Sequence, residues 1–359
     1  MRIGFFSPTI TRVGGGEWVT LNMIHALNST EHEIIVCSAE KIDVHQLQNF
    51  FGKSLRIDSE VNFWLNLFDP FDLENIYPNI FKSSLFSFKC DLLIDTFSND
   101  LFPWTDAVYY QGTPRTLRLH KRILFWPYKA LSTNTSRHCK SEDKILIACS
   151  KHSARTIENF TGLSVKVLYP PVSDYFKIKN DTDRQRKNRV VTLIRIAEDK
   201  RPSTIPQIAK LVSTDATFTI VGNCRTIHEM NMLCSLRETI RKLDLGERIT
   251  LLLNVSREKQ REILQSSKVY LHPFVPYESF GVSTLEAMSA GCIPVVPDIA
   301  GLREIAPKEL RYRSIEEAAS LVDTSIDMWS PQKAREIANS TNRFSQARFA
   351  EEFLKIIKL

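Results

Sequence analysis

Tyr277-Glu278-Ser279-Phe280-Gly281-Val282-Ser283-Thr284-Leu285-Glu286-Ala287-Met288-Ser289-Ala290-Gly291 reads as a strand-to-helix turn. The apolar run before it ends at His272-Pro273, and Phe280-Gly281 turns the chain into a helix beginning about Val282. A glycine in such a turn lets the backbone come close to a ligand. A helix start offers unpaired N–H groups and a partial positive charge, which suit a diphosphate. Glu278 stands just before the turn and Glu286 in the first turns of the helix, so the two carboxylates can accept hydrogen bonds from hydroxyls on either side of that diphosphate. The same spacing also describes an ordinary helix with an acidic residue near its start and a surface Glu. Spacing alone leaves both readings open.

Outward from this turn, short apolar runs alternate with helix-length segments along the whole chain. The runs fall at 3–6, 33–37, 91–95, 107–110, 144–149 and 165–168, then at 190–196, 217–221, 249–253, 269–272 and 293–296. Runs this short, rich in Val, Ile and Leu, predict an α/β protein with parallel sheets built from strand–helix–strand units. Helical spacing appears at 17–27, 259–264 and 343–359. A length of 359 residues suits two domains better than one core. Tyr169-Pro170-Pro171-Val172, followed by the polar stretch 177–189, is the expected joint. The boundaries predicted are 1–172, 173–340 and a last helix at 341–359.

Two further clusters point to chemistry. Leu193-Ile194-Arg195-Ile196-Ala197-Glu198-Asp199-Lys200-Arg201-Pro202 puts two cations at a strand end, where they could offset diphosphate charge or simply be solvated in a loop. Thr11-Arg12-Val13-Gly14-Gly15-Gly16-Glu17-Trp18 opens a helix after the first strand with glycines that leave room for a phosphate or sugar. Its spacing is not G-x-G-x-x-G, which disfavours a nicotinamide site.

Hydrophobic residues at 43% and charged residues at 25% describe a globular protein. The net charge of +6 suits an anionic ligand or membrane surface, and no nucleic-acid-binding signature accompanies it. Seven cysteines lie scattered, none at metal-ligand spacing, as expected of reduced thiols in the cytoplasm. Met1-Arg2-Ile3-Gly4-Phe5-Phe6 reads as a strand rather than a signal peptide. No apolar run nears the roughly 20 residues that span a bilayer, so membrane contact is expected to be peripheral, at the cytoplasmic face. Residues 107–141 contain no acid, while Arg115, Arg118, Lys121, Arg122, Lys129, Arg137 and Lys140 alternate with bulky apolar residues such as Leu117, Ile123, Leu124 and Trp126. That mixture suits a surface lying on anionic lipid and serving a lipid-linked acceptor, or a cationic face packed on its own domain. The aromatic-rich stretch 50–88 either lines the same side or is core.

Glu278 and Glu286 with seven residues between them, Ser279-Phe280-Gly281 after the first, and the continuation Ala290-Gly291-Cys292-Ile293-Pro294-Val295-Val296 resemble the family 4 retaining glycosyltransferases. The resemblance covers nearly the whole chain and is most specific from Arg195 to Glu304. It implies a GT-B architecture, two Rossmann-like parallel-sheet domains facing across a cleft, with the last helix crossing back to the first. By this resemblance Glu278, Arg195 and Lys200 are the catalytic residues. Gly15, Gly16, Phe280, Gly281, Val282, Ser283 and Glu286 bind the donor, a GDP- or UDP-sugar, with no cofactor and no metal ion. Two departures stand out. Ile194 replaces the usual glycine before Arg195, and Gln111 falls where the family carries a histidine. His120 is the candidate substitute on the acceptor side, while His138, His152 and His272 read as structural.

The chain looks closest to mannosyltransferases that extend lipid-linked oligosaccharides, so mannose is the first donor sugar expected, and a glycan or lipid-linked oligosaccharide the acceptor. The Gln111 departure keeps alive a non-catalytic sugar-nucleotide-binding protein; a GT-B-fold sugar-nucleotide epimerase is the other alternative.

Overall fold

The computed structural model describes all residues except 13, 63–75, 120–122, 141–142, 179–185, 225 and 277. The chain divides into two compact units, Met1–Pro171 together with Gln346–Leu359, and Val172–Ser345.

The first unit holds a seven-stranded sheet of β1 (Arg2–Phe6), β2 (Glu33–Ser38), β3 (Ser59–Asn62), β4 (Leu92–Asp95), β5 (Ala107–Tyr110), β6 (Ile145–Ala148) and β7 (Val165–Val167). Its order is β3-β2-β1-β4-β5-β6-β7, and every pairing is parallel. The second unit holds β8 (Lys187–Arg195), β9 (Thr217–Asn223), β10 (Ile249–Leu253), β11 (Ser267–Leu271), β12 (Ile293–Pro297) and β13 (Arg311–Tyr312). Its order is β10-β9-β8-β11-β12-β13, again all parallel. Strands such as Phe5, Ile34, Val36, Ile94, Val191, Ile220, Val269 and Val295 are buried, so both faces of each sheet are covered and the strands read as continuous apolar runs.

Two strands escaped the sequence reading. β3 is Ser-Glu-Val-Asn and β13 is only Arg-Tyr; both sit at sheet edges, where half of the hydrogen-bonding groups and much of the side-chain surface meet no neighbouring strand. An edge strand therefore needs no apolar run, and pattern cannot reveal it.

Each sheet reverses its winding once. In the first unit the chain runs outward from β1 to β3, then returns to β4 on the other side of β1; in the second, β8 is flanked by β9 and β11 in the same way. Open α/β sheets bind ligands outside the carboxyl ends of the strands at such a reversal, which places β1 and β4 in the first unit and β8 and β11 in the second at the expected positions.

The helix Gln346–Ile356 belongs to the first unit, where it packs on the helix Gly15–Ala26. Gln346 Nε2 donates to Asn22 Oδ1 at 2.7 Å, and Phe349 and Phe353 are buried beneath it. In the second unit the Val172 amide donates to the Phe344 carbonyl at 2.8 Å. No described helix is long and apolar enough to cross a membrane.

Candidate active site

The carboxyl ends of β8 and β11 carry the residues that the sequence singled out. β8 ends on Arg195, and the short turn Glu198–Lys200 follows; β11 runs into His272-Pro273 and then the loop to Gly281. Lys200 Nζ donates to Glu278 Oε2 at 3.1 Å, so the two elements meet across the switch point. His272 Nε2 lies 3.7 Å from the same oxygen. Its Nδ1 donates to the Pro273 carbonyl at 2.7 Å, since a carbonyl only accepts, and the Tyr312 hydroxyl donates to the His272 carbonyl at 2.7 Å. The buried ring is thus held through Nδ1, and the Tyr312 bond holds the backbone that carries it. Burial would push the Glu278 carboxyl up, but the His272 hydrogen bond and the Lys200 charge outweigh it and hold the group down at about 2. Glu278 is a firm anion aimed by the Lys200 donor, with the His272 ring close beside it.

His272 had read as structural, yet it is a direct neighbour of Glu278. Pattern could not show this, because a histidine ending an apolar strand looks the same whatever its ring faces.

Arg195 is placed differently. Its guanidinium is more than half exposed and pairs with Asp199 at 3.2 Å and with Glu229 at 3.9 Å. Such an exposed pair contributes little, about 0–1 kcal/mol, so the side chain can turn to an anion at small cost.

The loop enters its helix at Gly281, whose φ of 97° is a left-handed conformation that favours glycine. Space adds a second constraint, because a Cβ there would lie 2.6 Å from Leu302 Cδ2. The helix Val282–Ser289 starts without any side-chain cap, which leaves its first amides for water or a ligand. Ser283 Oγ meets the Tyr270 hydroxyl at 2.8 Å, and both Val282 and Ser283 are half-buried. The Phe280 ring is buried edge-on against Phe344 at 5.7 Å, so it anchors the loop by packing.

Glu286 is partly buried one turn into this helix, and burial raises its carboxyl to about 7 against the pull of Arg257. The Arg257 guanidinium lies over the rings of Phe176 at 5.0 Å and Tyr175 at 5.3 Å. A carboxyl raised above its unfolded value of about 4.3 costs nothing below that pH and destabilises progressively until pH passes the folded value. Glu286→Gln should therefore match the wild type in thermal stability at pH 4 and exceed it at pH 8 by about 1–2 kcal/mol, after discounting for solvent. Equal stability of the two proteins at pH 8 would contradict this burial.

Gly301 belongs to the site although nothing in the sequence marked it. A Cβ on it would overlap the Ser279 carbonyl and stand 2.7 Å from Phe280 Cα. Its φ of −67° is open to any residue, so closeness alone requires glycine.

In the first unit, Gly16 and Gln111 are brought together at the other switch point, where a Cβ on Gly16 would overlap the Gln111 carboxamide. Gln111 Nε2 donates to the Thr96 carbonyl at 2.5 Å, and its amide donates to Asn99 Oδ1 at 2.7 Å. Gly15 is the first residue of the helix that follows, whose start is closed by Glu17 accepting from the Gly14 amide at 3.0 Å. His120 lies outside the described residues.

Two all-parallel-sheet units, each with one winding reversal, have the architecture of the GT-B class of glycosyltransferase folds. The whole chain superposes on Anabaena HepE in complex with UDP and glucose with a TM-score of 0.73, at 15% identity and covering 100% of this chain and 99% of that one. Residues 174–337 match the model of the family "Glycosyl transferases group 1". Two sequence relatives carry the name GDP-Man:Man(3)GlcNAc(2)-PP-Dol alpha-1,2-mannosyltransferase. The one from Candida albicans is 29% identical over 153 residues, covering 39% of this chain and 25% of that protein. The one from Dictyostelium discoideum is 24% identical over 221 residues, covering 55% and 43% respectively. The matches thus take in less than half the length of either relative.

Proposed function

We propose that this chain is a retaining glycosyltransferase that moves a hexose, mannose first, from a nucleoside diphosphate sugar to a glycan or lipid-linked acceptor. The observation that carries this reading is Glu278, held anionic by Lys200 and His272 beside an uncapped helix start at a winding reversal. A fixed anion there accepts from sugar hydroxyls, and the Gly281, Val282 and Ser283 amides take the sugar or phosphate. Glu286 accepts from the ribose. As the bond between the anomeric carbon and the diphosphate oxygen breaks, charge grows on the diphosphate, and Lys200 with Arg195 stabilises it. The acceptor oxygen bonds to the anomeric carbon on the face the diphosphate leaves, and its proton passes to the departing phosphate. No side-chain base is needed, which accommodates Gln111 in place of histidine. The two mannosyltransferase relatives support mannose and a lipid-linked acceptor, and we place that work at the cytoplasmic face of a membrane. HepE, solved with UDP, keeps a uridine donor in play.

Gln111 favours a second reading, a sugar-nucleotide-binding protein without turnover, because a carboxamide fixed to the Thr96 carbonyl cannot take a proton.

Calorimetry with GDP, UDP, ADP and NAD, without added metal, tests the site. GDP or UDP should bind, and Arg195→Ala should weaken that binding about tenfold, the worth of one charge-assisted contact. Binding of none of the four by folded protein would remove the site. NMR of the product anomer then decides retention, and product formed without acceptor would indicate an epimerase.

A further inference from the structure

We infer that the first unit carries an insertion edge for an anionic lipid bilayer, made by the outer flank of the helix Ile76–Ser87 and the turn Ile123–Phe125 with Trp126. Along that helix Tyr77, Phe81 and Leu85 recur every four residues on one face and are exposed, and Phe88 follows just past its end with 81% of its surface in solvent. The opposite face is ordinary core: Ile76 and Ile80 pack with Phe102, Phe125, Tyr128 and Leu131. The turn continues the exposed edge, with Ile123 90%, Leu124 72% and Trp126 64% exposed. Tyr77 joins the two parts, since its hydroxyl donates to the Leu124 carbonyl at 2.7 Å and its ring stacks on Phe125 at 6.3 Å. Single exposed apolar residues are common on proteins; a connected edge of six or seven is not.

Charge selects the occupant. Among the described residues, 76–90 and 107–140 contain no Asp or Glu, while Lys89, next to Phe88 in the chain, and Arg137 and Lys140 are exposed cations, with Arg115 and Lys129 half-buried. A second copy docked on this edge about a two-fold axis would set the same cations against one another. A bilayer of anionic lipid accepts both components, apolar tips below the headgroups and cations among them. The sequence points to the mixed cationic and apolar stretch 107–141 and leaves 50–88 as either the same side or core; the helix Ile76–Ser87 puts one face of that stretch in core and the other on this edge.

The inference deepens the lipid-linked-acceptor reading and rests on it for its purpose, but its test requires no turnover. Purified protein is sedimented with vesicles of phosphatidylcholine alone and of phosphatidylcholine containing phosphatidylglycerol. The wild type should pellet with the anionic vesicles and stay in solution with the neutral ones. The variant Phe88→Ser/Ile123→Ser/Trp126→Ser should bind the anionic vesicles at least about tenfold more weakly, three apolar tips being lost from the lipid. Nucleotide binding by this variant should be unchanged, which shows that it is folded. Wild type remaining in solution with anionic vesicles, or the variant binding them as well as wild type, would overturn the insertion edge. So would a vesicle-free dimer of the wild type that the variant dissolves, because it would assign the edge to a second copy. Vesicle binding without nucleotide binding would leave the edge standing and remove only the transferase site.

Discussion

Glu278→Gln should lower kcat by about a thousandfold while leaving the second unit folded. Glutamine keeps the shape and one acceptor oxygen, so donor hydroxyls are still met in the ground state. It cannot hold the negative charge that Lys200 and His272 converge on at 3.1 and 3.7 Å. Lys200 then loses its anion and is free to swing away from the diphosphate it is proposed to neutralise. The stability cost should be modest, about 1–2 kcal/mol, because Lys200 remains about a third exposed. Its pH dependence has a definite sign. A carboxyl held at about 2 contributes stability that is complete above its unfolded value near 4.3 and lost as pH falls through 2. The gap in melting temperature between wild type and Glu278→Gln should therefore be flat from pH 5 to 8 and close on acidification. Steady-state turnover with the bound sugar nucleotide is the decisive measurement; wild-type kcat in Glu278→Gln would dismiss this carboxylate as catalytic.

Gly301→Ala should be the next most damaging change, with kcat/KM falling about a hundredfold. The added methyl has no empty space to enter, since it meets backbone, the Ser279 carbonyl and Phe280 Cα, rather than a flexible side-chain tip. Something rigid must move. Phe280 is anchored below by Phe344, so the displacement falls on Ser279 and on the approach to Glu278. A shift of about 1 Å at a reacting group is enough for a loss of this size, and overpacking itself costs about 1–3 kcal/mol. Gly246, by contrast, has no atom within 4 Å of where a Cβ would stand, so Gly246→Ala serves as the control and should behave as wild type. Unimpaired turnover in Gly301→Ala would mean that the loop tolerates the shift and does not position the carboxylate.

These two residues also mark how far the sequence could be read. Glu278 was legible as a candidate because it stands in a dense local pattern, a strand, a glycine turn and a second carboxylate one helix turn on, all within twenty residues of chain. Eleven strands were legible for a similar reason: burial on both faces leaves an uninterrupted apolar run. Gly301, His272 and Asp199 were not. Gly301 is needed only because another loop passes over it, and His272 matters only because residues 273–276 bring the chain back to its ring. Arg195 was found as a cation at a strand end, but its present partners, Asp199 and Glu229, depend on how the next loop and helix fold back. Contacts of that kind are properties of three-dimensional closure, and spacing along the chain carries no trace of them.

The helix Gln346–Ile356 imposes an order on synthesis. It completes the first unit, yet the ribosome delivers it only after all of residues 172–345. At about 5–20 residues per second, roughly ten to thirty-five seconds separate the emergence of Pro171 from that of Gln346. Throughout that interval Asn22 lacks its Gln346 partner, and the face of the helix Gly15–Ala26 that the final helix covers stands open to water and to chaperones. The second unit has its whole chain to hand before the first does. The unit begun first is thus the last to have its whole chain to hand.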